Sequence, residues 1–448
     1  MIFPNGKKLM AKLDATYINT ANKIKVLQTI RGSDAVSRAD LAKLTGLSAP
    51  TITRIVESLI TTGGLVQDIG TGSSESGRPP NLVRFSGSDK YVVGIDLGTT
   101  HIDGVVANLD AELVTEMRIP ALVEAGYEAV IERTSALVRD LIDASGVPMN
   151  RVLGVGMAVA GLVDLERNVV EYSPDFGWRD ADVVADMQRS VPFPVVFDNV
   201  SRVMALGERA FGSGRETDTF ICINVGYGIG AGIITNGLPY AGAHGMSGEF
   251  GHIVVDPHSD ARCMCGNRGC LEALASGRGI SMAAQQRLAA GTPSMLASDY
   301  RSDPSSITAR AVAQAAGSGD ELCAQVMGSA ARYLGLGIVT LVNLFDPSLI
   351  VIGGGVASAG ERFLEVVRST VADRSLSRHA RNLEIVPSSF GAKAAVLGAV
   401  SLILERVLSL ESRFIAALQE RADRAGSCVI SCAGRAHRIS CTPMASPG

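Results

Sequence analysis

The chain has 448 residues, of which 46% are hydrophobic and 49 are glycine, and its formal net charge is −4. This length allows two or three domains, and the composition is typical of a soluble α/β protein. The longest uncharged apolar stretch, residues 333–345, is too short to span a bilayer, and no signal-peptide core opens the chain, which predicts a cytoplasmic protein without a membrane partner.

The charge is distributed unevenly along the chain. Residues 1–90 hold 12 Lys and Arg against 7 Asp and Glu, a net of +5, whereas the remainder holds 29 against 38, a net of −9. A basic head on an acidic body is expected when one domain contacts phosphate and the other does not.

Three helices are predicted near the N-terminus. Ile24, Leu27 and Ile30 recur at helical spacing. A capping box at Ser37-x-x-Asp40 opens a second helix, which is expected to pack Leu41 and Leu44 and to end at Gly46. The third helix follows Ser48 and is expected to bury Ile52, Ile55, Val56, Leu59 and Ile60.

Two strands, residues 65–68 and 82–85, follow this third helix and flank a polar loop. The pattern predicts a winged helix-turn-helix domain over residues 18–86. Small hydroxyls and arginine suit phosphate and base-edge contacts, so the candidate DNA contacts are Ser48, Thr51, Thr53, Arg54 and, in the loop, Arg78. The alternative is a three-helix unit used for dimerisation or docking.

Three apolar strands in the body each end in a glycine turn, at residues 92–100, 223–232 and 350–355. Such turns bring backbone N–H groups near a phosphate, and a carboxylate there could hold Mg²⁺. The candidate residues are Asp96, Gly98, Thr99, Gly226, Gly228 and Gly354. Together the three turns resemble the two-lobed sugar kinase/actin-like (ribonuclease H-like) fold. The first lobe is expected at 90–200, completed by about 385–407, and the second at 201–384.

A metal site is predicted where three cysteines follow one histidine. Cys263, Cys265 and Cys270, with His252, supply four ligands for a tetrahedral ion, and thiolate with imidazole suits Zn²⁺. Four protein ligands close the shell, so this zinc would be structural. The alternative is a chance cluster of reduced thiols. Residues 408–448 are expected to form a tail that is disordered in its last part, rather than a second zinc site at Cys428, Cys432, His437 and Cys441.

The same motif resembles a family signature. Glu-x-Gly-His at 249–252 followed by Cys-x-Cys-Gly-x-x-Gly-Cys-x-Glu at 263–272 is similar to that of the ROK family, which groups bacterial sugar kinases with sugar-responsive repressors, and the resemblance covers about residues 20–405. It implies zinc binding by the His and three Cys. It also implies sugar contacts, for which the candidates are Gly161, Asp175, Asn199, Glu249, His252 and Glu272. The alternative for Glu249 and Glu272 is support of the zinc ligands.

The chain departs from the kinases of this family at the general base. Aligned with the family's Asn-Asp pair, Asn199 falls on the Asn and Val200 falls on the catalytic Asp. Valine cannot accept a proton, and Asp198 could replace the base only if the alignment slips by one residue. Tyr227 also stands where the family has a small Thr in the phosphate loop. The resemblance therefore implies a non-catalytic member that does not depend on ATP or Mg²⁺.

These features predict a sugar-responsive transcriptional regulator, with repression the commoner outcome in the family. It would bind operator DNA as a homodimer or dimer of dimers and sense a sugar or sugar phosphate in the cleft. One alternative is an ATP-dependent kinase of glucose or an N-acetylhexosamine with a regulatory head. Another is a docking module controlled by a phosphotransferase partner.

Overall fold

The computed structural model describes residues 15–61, 64–72, 80–376 and 383–409. Packing divides the chain into two units. The smaller unit contains the described residues between 15 and 90, together with residues 149–153 and 406–409. The larger unit contains residues 91–148 and 154–405. The expected tail after residue 409, with Cys428, Cys432, His437 and Cys441, and the loop residue Arg78 lie outside the described residues.

The smaller unit consists of three helices and a short antiparallel sheet. Its elements are α1 (Ala15–Arg31), β1 (Val36–Ser37), α2 (Arg38–Thr45), α3 (Ala49–Thr61), β2 (Val66–Thr71) and β3 (Asn81–Phe85). The sheet order is β1-β3-β2, and both pairings are antiparallel. The three helices and the β2–β3 hairpin therefore follow the order that the sequence predicts.

Helix α2 begins and ends as its sequence predicts. The Ser37 hydroxyl accepts a hydrogen bond from the backbone N–H of Asp40 at 3.1 Å, and Gly46 closes the helix with a φ of 72°. Its inner face differs from the prediction, because Leu44 is 64% exposed and Thr45 is buried instead. Leu41 and Thr45 are four residues apart, so they lie on one face of the short helix and Leu44 points away from it.

The larger unit has two lobes, each built on a five-stranded sheet. The first sheet has the order β11-β7-β4-β5-β6, in which β4, β5 and β6 form an antiparallel meander and β11 pairs parallel with β7. Its elements, with the helices that cover it, are β4 (Tyr91–Leu97), β5 (His101–Asn108), β6 (Leu113–Pro120), α4 (Tyr127–Ser145), β7 (Val152–Val159), α5 (Val183–Gln188) and β11 (Val195–Asn199). The first lobe also carries a small antiparallel sheet. Its strands are β8 (Leu162–Asp164), β9 (Val169–Ser173) and β10 (Trp178–Ala181).

The second lobe carries the other large sheet and most of the helices. The sheet order is β14-β13-β12-β15-β16. Its elements are α6 (Val200–Phe211), β12 (Phe220–Val225), β13 (Ile229–Thr235), β14 (Leu238–Pro239), α7 (Leu271–Ala275), α8 (Gly277–Ala289), α9 (Ala297–Ser302), α10 (Ala309–Gly317), α11 (Glu321–Phe345), β15 (Leu349–Gly353), α12 (Glu361–Arg374) and β16 (Glu384–Pro387). Because β16 pairs with β15, the chain returns to the first lobe only after Pro387, slightly later than the residue predicted.

The long helix α11 lies in the core of the second lobe. By length and composition alone it could cross a membrane, but 56% of its most apolar 18-residue window is buried. It packs against α7, α8, α10 and α12, so these contacts account for its hydropathy. The uncharged apolar stretch at residues 333–345 is only the C-terminal half of this helix.

Helices α6 and α13 (Ala394–Leu408) pack closely against each other. At Gly398 of α13 a Cβ atom would lie 2.2 Å from the carbonyl oxygen of Val203, so the contact requires glycine. Helix α6 also packs on β12 and β13, and it follows β11 directly. It therefore connects the sheet of the first lobe to the sheet of the second.

Candidate functional site

A cavity of about 310 Å³ lies between the two lobes. Its wall combines residues from β7–β9 of the first lobe, the start of α6, and the β12–β13 and 246–272 segments of the second. All six predicted sugar contacts lie on this wall: Gly161, Asp175, Asn199, Glu249, His252 and Glu272. A larger groove of about 890 Å³ over α11 contains none of the predicted site residues.

The cavity wall gathers three partly buried carboxyl groups, those of Asp175, Glu249 and Glu272. Burial raises the pKa of Asp175, and the charge of Glu272 raises it further, while His252 and Arg278 oppose the shift. Burial likewise raises the pKa of Glu249, opposed by His252 and Arg202. Acceptors that are partly desolvated form stronger hydrogen bonds to neutral donors such as hydroxyls, which is what a polyol ligand offers.

The four predicted metal ligands converge beside this cavity. The ligand atoms of His252, Cys263, Cys265 and Cys270 all lie within 4.8 Å of one another. A tetrahedral Zn²⁺ with ordinary bond lengths requires about 3.8 Å between two sulfurs and about 3.6 Å between a sulfur and a nitrogen. The sulfurs of Cys265 and Cys270 are 3.8 Å apart, and Cys263 Sγ is 3.5 Å from His252 Nδ1. The donor set therefore fits a tetrahedral ion.

Local backbone structure brings these ligands together. His252 ends a short 3₁₀ turn, and Cys270 precedes the first residue of α7. Gly266 and Gly269 adopt positive φ angles of 93° and 65°, which turn the chain tightly between the cysteines. Burial raises the pKa of Cys270 to about 11, so a bound cation is what would hold this thiol as a thiolate.

The two ring nitrogens of His252 face different partners. Nδ1 faces Cys263 Sγ within the metal cluster, whereas Nε2 lies 3.8 Å from Glu249 Oε2 at the cavity. An imidazole that coordinates a metal through Nδ1 carries its proton on Nε2. His252 can therefore serve the metal with one nitrogen and present a hydrogen-bond donor to the cavity with the other.

Glu272 also lies between the metal cluster and the cavity. Its Oε2 accepts a hydrogen bond from the backbone N–H of Ile229 at 3.0 Å, and its Oε1 is 3.7 Å from Cys263 Sγ. Oε2 of Glu272 is thus hydrogen-bonded to the backbone at the β12–β13 turn. The side chain can support the cluster and still contribute to the cavity wall.

Asn199 uses both ends of its side-chain amide within the protein. Nδ2 donates to the carbonyl of Gly161 at 2.9 Å, and Oδ1 accepts from the backbone N–H of Ser201 at 2.9 Å, which caps α6. One N–H and one lone pair are left over for a ligand. Asn199 therefore fixes the position of Gly161 in addition to lining the cavity.

Val200 and Asp198 have different environments. Among the described residues, Val200 lines the cavity and Asp198 does not. The Oδ1 atom of Asp198 accepts hydrogen bonds from Nε of Arg202 at 2.8 Å and from Nη2 of the same guanidinium. The carboxylate is buried and held in this ion pair. Asp198 is thus engaged in an ion pair and is not part of the described cavity wall.

Comparison with known proteins decides the family. The family model described as "ROK family" matches residues 92–406, about 70% of the chain.

The chain belongs to the ROK family.

Its relatives include repressors and kinases. It is 31% identical to the "Xylose repressor" of Caldicellulosiruptor bescii, over 88% of this chain and 98% of the repressor. It is 32% identical to a "Glucokinase" of Halalkalibacterium halodurans, over 72% of this chain and 98% of that enzyme. A solved ROK transcriptional regulator, described as a homolog of the E. coli MLC protein, superposes with a TM-score of 0.75 at 28% identity, covering 91% of this chain and 99% of that one. The repressors match nearly end to end, so the chain lies in the transcriptional-regulator branch of ROK, as predicted.

The glycine turns of this ROK chain lie at the ends of strands in both sheets. Asp96 is the second-last residue of β4, and Gly98 and Thr99 follow the end of this strand. Gly226 and Gly228 form the β12–β13 turn, and at Gly354 a Cβ atom would lie 2.5 Å from Asn224 Oδ1, so the second and third turns are in contact. Tyr227 is 52% exposed and is not part of the cavity wall among the described residues.

The candidate DNA contacts that the structure describes lie at the start of α3. The hydroxyls of Ser48 and Thr51 are 2.8 Å apart, and Thr53 Oγ1 donates to the carbonyl of Ala49. Arg54 is exposed, and its Nη2 donates to Asn19 Oδ1 at 3.3 Å. Ile52, Ile55, Val56 and Leu59 are buried on the opposite face, while Ile60 is only partly buried.

Two further residues near the site are buried. Trp178, the only tryptophan of the chain, is 5% exposed and stacks on Phe176 with ring centroids 4.4 Å apart. It therefore packs in the protein. Arg202 was not singled out from the sequence, because nothing local indicates that an arginine on an amphipathic helix points inwards.

Proposed function

We propose that this protein is a sugar-responsive transcriptional repressor that binds operator DNA through its N-terminal unit and senses a sugar between the lobes. The observation that carries the proposal is the cavity wall, which gathers acceptors and donors suited to hydroxyls but presents Val200 where a kinase needs a carboxylate. Asp198 is the only neighbouring acid in sequence, and its ion pair with Arg202 keeps it from the ligand. Loss of a general base typically costs about 10²- to 10⁴-fold in rate.

The proposed sugar contacts follow from the groups on the wall. Asp175, Glu249 and Glu272 would accept hydrogen bonds from sugar hydroxyls, and His252 would donate from Nε2. Gly161 and Asn199 would complete the wall on the side of the first lobe. A site built on such paired hydrogen bonds discriminates strongly against sugars that lack a hydroxyl.

We propose zinc as the ion in the His252–Cys263–Cys265–Cys270 cluster, with a structural role. When bound, it would supply no chemistry beyond fixing the backbone between residues 252 and 270. The groups that would contact the sugar belong to the chain itself. Nε2 of His252 and the carboxylate of Glu272 would both be oriented through their contacts with the cluster.

The smaller unit supplies the proposed DNA-binding surface. Ser48, Thr51, Thr53 and Arg54 lie on or near the first turns of α3, where a recognition helix meets the major groove. Arg78 is proposed as a further contact from the hairpin loop. A homodimer would place two such helices on the half-sites of an operator, and a cytoplasmic location follows from that role.

The deciding experiment is a thermal-shift screen with D-xylose, D-glucose and N-acetylglucosamine, with and without Mg-ATP, followed by an ATP-consumption assay. The expected result is stabilisation by one sugar without turnover, and release of operator DNA by that sugar. Phosphorylation of the sugar above background would instead establish the kinase that the glucokinase relative suggests. Stabilisation by none of these sugars would exclude them as ligands.

A further inference from the structure

Arg202 is buried, with 3% of its surface exposed, although it lies in the first turn of α6. Both sides of its guanidinium donate hydrogen bonds. Nε and Nη2 donate to Oδ1 of Asp198, and Nη1 donates to the carbonyl oxygen of Gly245 at 2.5 Å. The fork geometry of arginine allows one side chain to satisfy a carboxylate and a distant backbone carbonyl together.

Gly245 belongs to residues 240–248, a loop that joins β14 to the turn carrying Glu249 and His252. The two ends of this loop are fixed to β13, because Tyr240 N–H donates to Ile233 and the carbonyl of Gly248 accepts from Ala231 N–H. Among the described residues, Arg202 makes the only hydrogen bond to residues 242–246. Ser247 closes the loop through hydrogen bonds to the carbonyls of Tyr240 and Ala241, and within the described residues Arg202 supplies the hydrogen bond to the segment between them.

The loop also meets the first lobe. Gly245 has a φ of 73°, and a Cβ atom there would lie 2.6 Å from the carbonyl oxygen of Val163 in β8. Met246 and Glu249, which follow Gly245, line the cavity. A shift of the loop at Gly245 would consequently move part of the cavity wall.

We propose that Arg202 is a positioning residue, which holds loop 240–248 through Gly245 and thereby sets the position of Met246 and Glu249 on the cavity wall. The inference rests on the proposed function only where it concerns sugar affinity. Asp198 has a defined part in it, because its carboxylate orients the guanidinium. Asp198 therefore contributes to the position of the loop through Arg202.

The test uses Arg202→Lys in the full-length protein. Lysine can still neutralise Asp198, but a single ammonium cannot also reach Gly245. The matched control is Arg209→Lys on the same helix, where the guanidinium is partly exposed and lies 4.0 Å from Glu405. Both variants should melt cooperatively near the wild-type temperature, which separates the loop contact from a general folding defect.

Hydrogen exchange without sugar reports on the loop directly. In Arg202→Lys the amides of residues 240–250 should exchange about tenfold to a hundredfold faster, as expected for loss of one charge-assisted hydrogen bond, and Arg209→Lys should match wild type. Among D-xylose, D-glucose and N-acetylglucosamine, the sugar bound by wild type should bind Arg202→Lys about tenfold or more weakly by calorimetry.

Gly245→Ala disturbs the same contact from the other side. Its Cβ atom would press on the carbonyl oxygen of Val163 at a backbone φ of 73°, so it should displace the loop and also accelerate exchange in residues 240–250. Wild-type exchange in Arg202→Lys would overturn the proposal. If the wild type binds none of the three sugars, faster exchange in Arg202→Lys would still support the positioning role, and only the assignment of these sugars as ligands would fail.

Discussion

Glu208 and Ser388 are 180 residues apart in the chain, and the Ser388 hydroxyl donates to Glu208 Oε1 at 2.6 Å. Glu208 is completely buried at the C-terminal half of α6. It also accepts from the backbone N–H groups of Ser389 and Ser213, both at 3.0 Å. One carboxylate therefore holds α6 to the turn that follows β16.

Glu208→Ala should destabilise the protein by about 3 kcal/mol, because it leaves three partly buried donors without their acceptor. The measurement is urea unfolding followed by circular dichroism. Ser389→Ala is the matched control, since Ser389 contributes its backbone N–H to Glu208 and its hydroxyl is exposed. Equal stability of the two variants would show that the buried carboxylate is not needed.

Removal of one metal ligand should release the ion and loosen the cavity. We expect Cys265→Ala to reduce bound zinc from one per chain to near zero, to lower the melting temperature and to weaken sugar binding. Metal content by mass spectrometry and calorimetric titration are the measurements. Cys323→Ala is the control, because Cys323 is buried in α11 outside the cluster. Retention of zinc by Cys265→Ala would contradict the assignment of the ligands.

Asp96 should make stability depend on pH near neutrality. Burial and the facing Asp103 raise the pKa of Asp96 from 3.8 to about 7. A raised folded-state pKa means that the folded state favours the protonated acid, so its contribution to stability is present below about pH 4 and is lost as the pH rises through about 7. Asp96→Asn should therefore gain stability relative to wild type between about pH 5 and about pH 8.

Urea unfolding across this pH range measures the effect. Asp143→Asn, at an exposed site in α4, is the control and should follow wild type. A constant difference between Asp96→Asn and wild type over the whole range would show that Asp96 does not titrate there.

Arg54 should contribute to DNA binding by contacting a phosphate group of the DNA backbone. We expect Arg54→Ala to weaken binding to random-sequence duplex DNA and to reduce the slope of log affinity against log salt by about one. Fluorescence anisotropy over a salt series is the measurement. The control is Lys43→Ala on α2. The ammonium group of Lys43 is exposed and lies 3.4 Å from the carboxylate of Asp40. An unchanged slope for Arg54→Ala would place the DNA surface elsewhere.

Local patterns were the reliable guide to this fold and its site. The metal cluster could be predicted because its cysteines lie within eight residues and the spacing alone brings them together. The cap at Ser37 and the turn at Gly46 are likewise local. Leu44 was misplaced because a helix of eight residues leaves the choice between positions 44 and 45 to tertiary packing.

Contacts between distant segments could not be predicted. The bond from Arg202 to Gly245 joins residues 43 apart, and it depends on the path of a loop with no regular structure. The same limit applies to Trp178, which stacks on Phe176 and makes a perpendicular, edge-on contact with Tyr127 of α4. A polar or aromatic residue near a motif does not by itself indicate whether it faces the ligand or the core.

His252 has one further consequence under the proposed function. If a single imidazole serves both the ion and the sugar, the two occupancies are thermodynamically linked, and each must raise the affinity for the other by the same factor. A cell depleted of zinc would then respond to a given sugar concentration as though it were lower. Bound sugar would in turn slow the loss of zinc to a chelator, so the sensor would report nutrient and metal supply together.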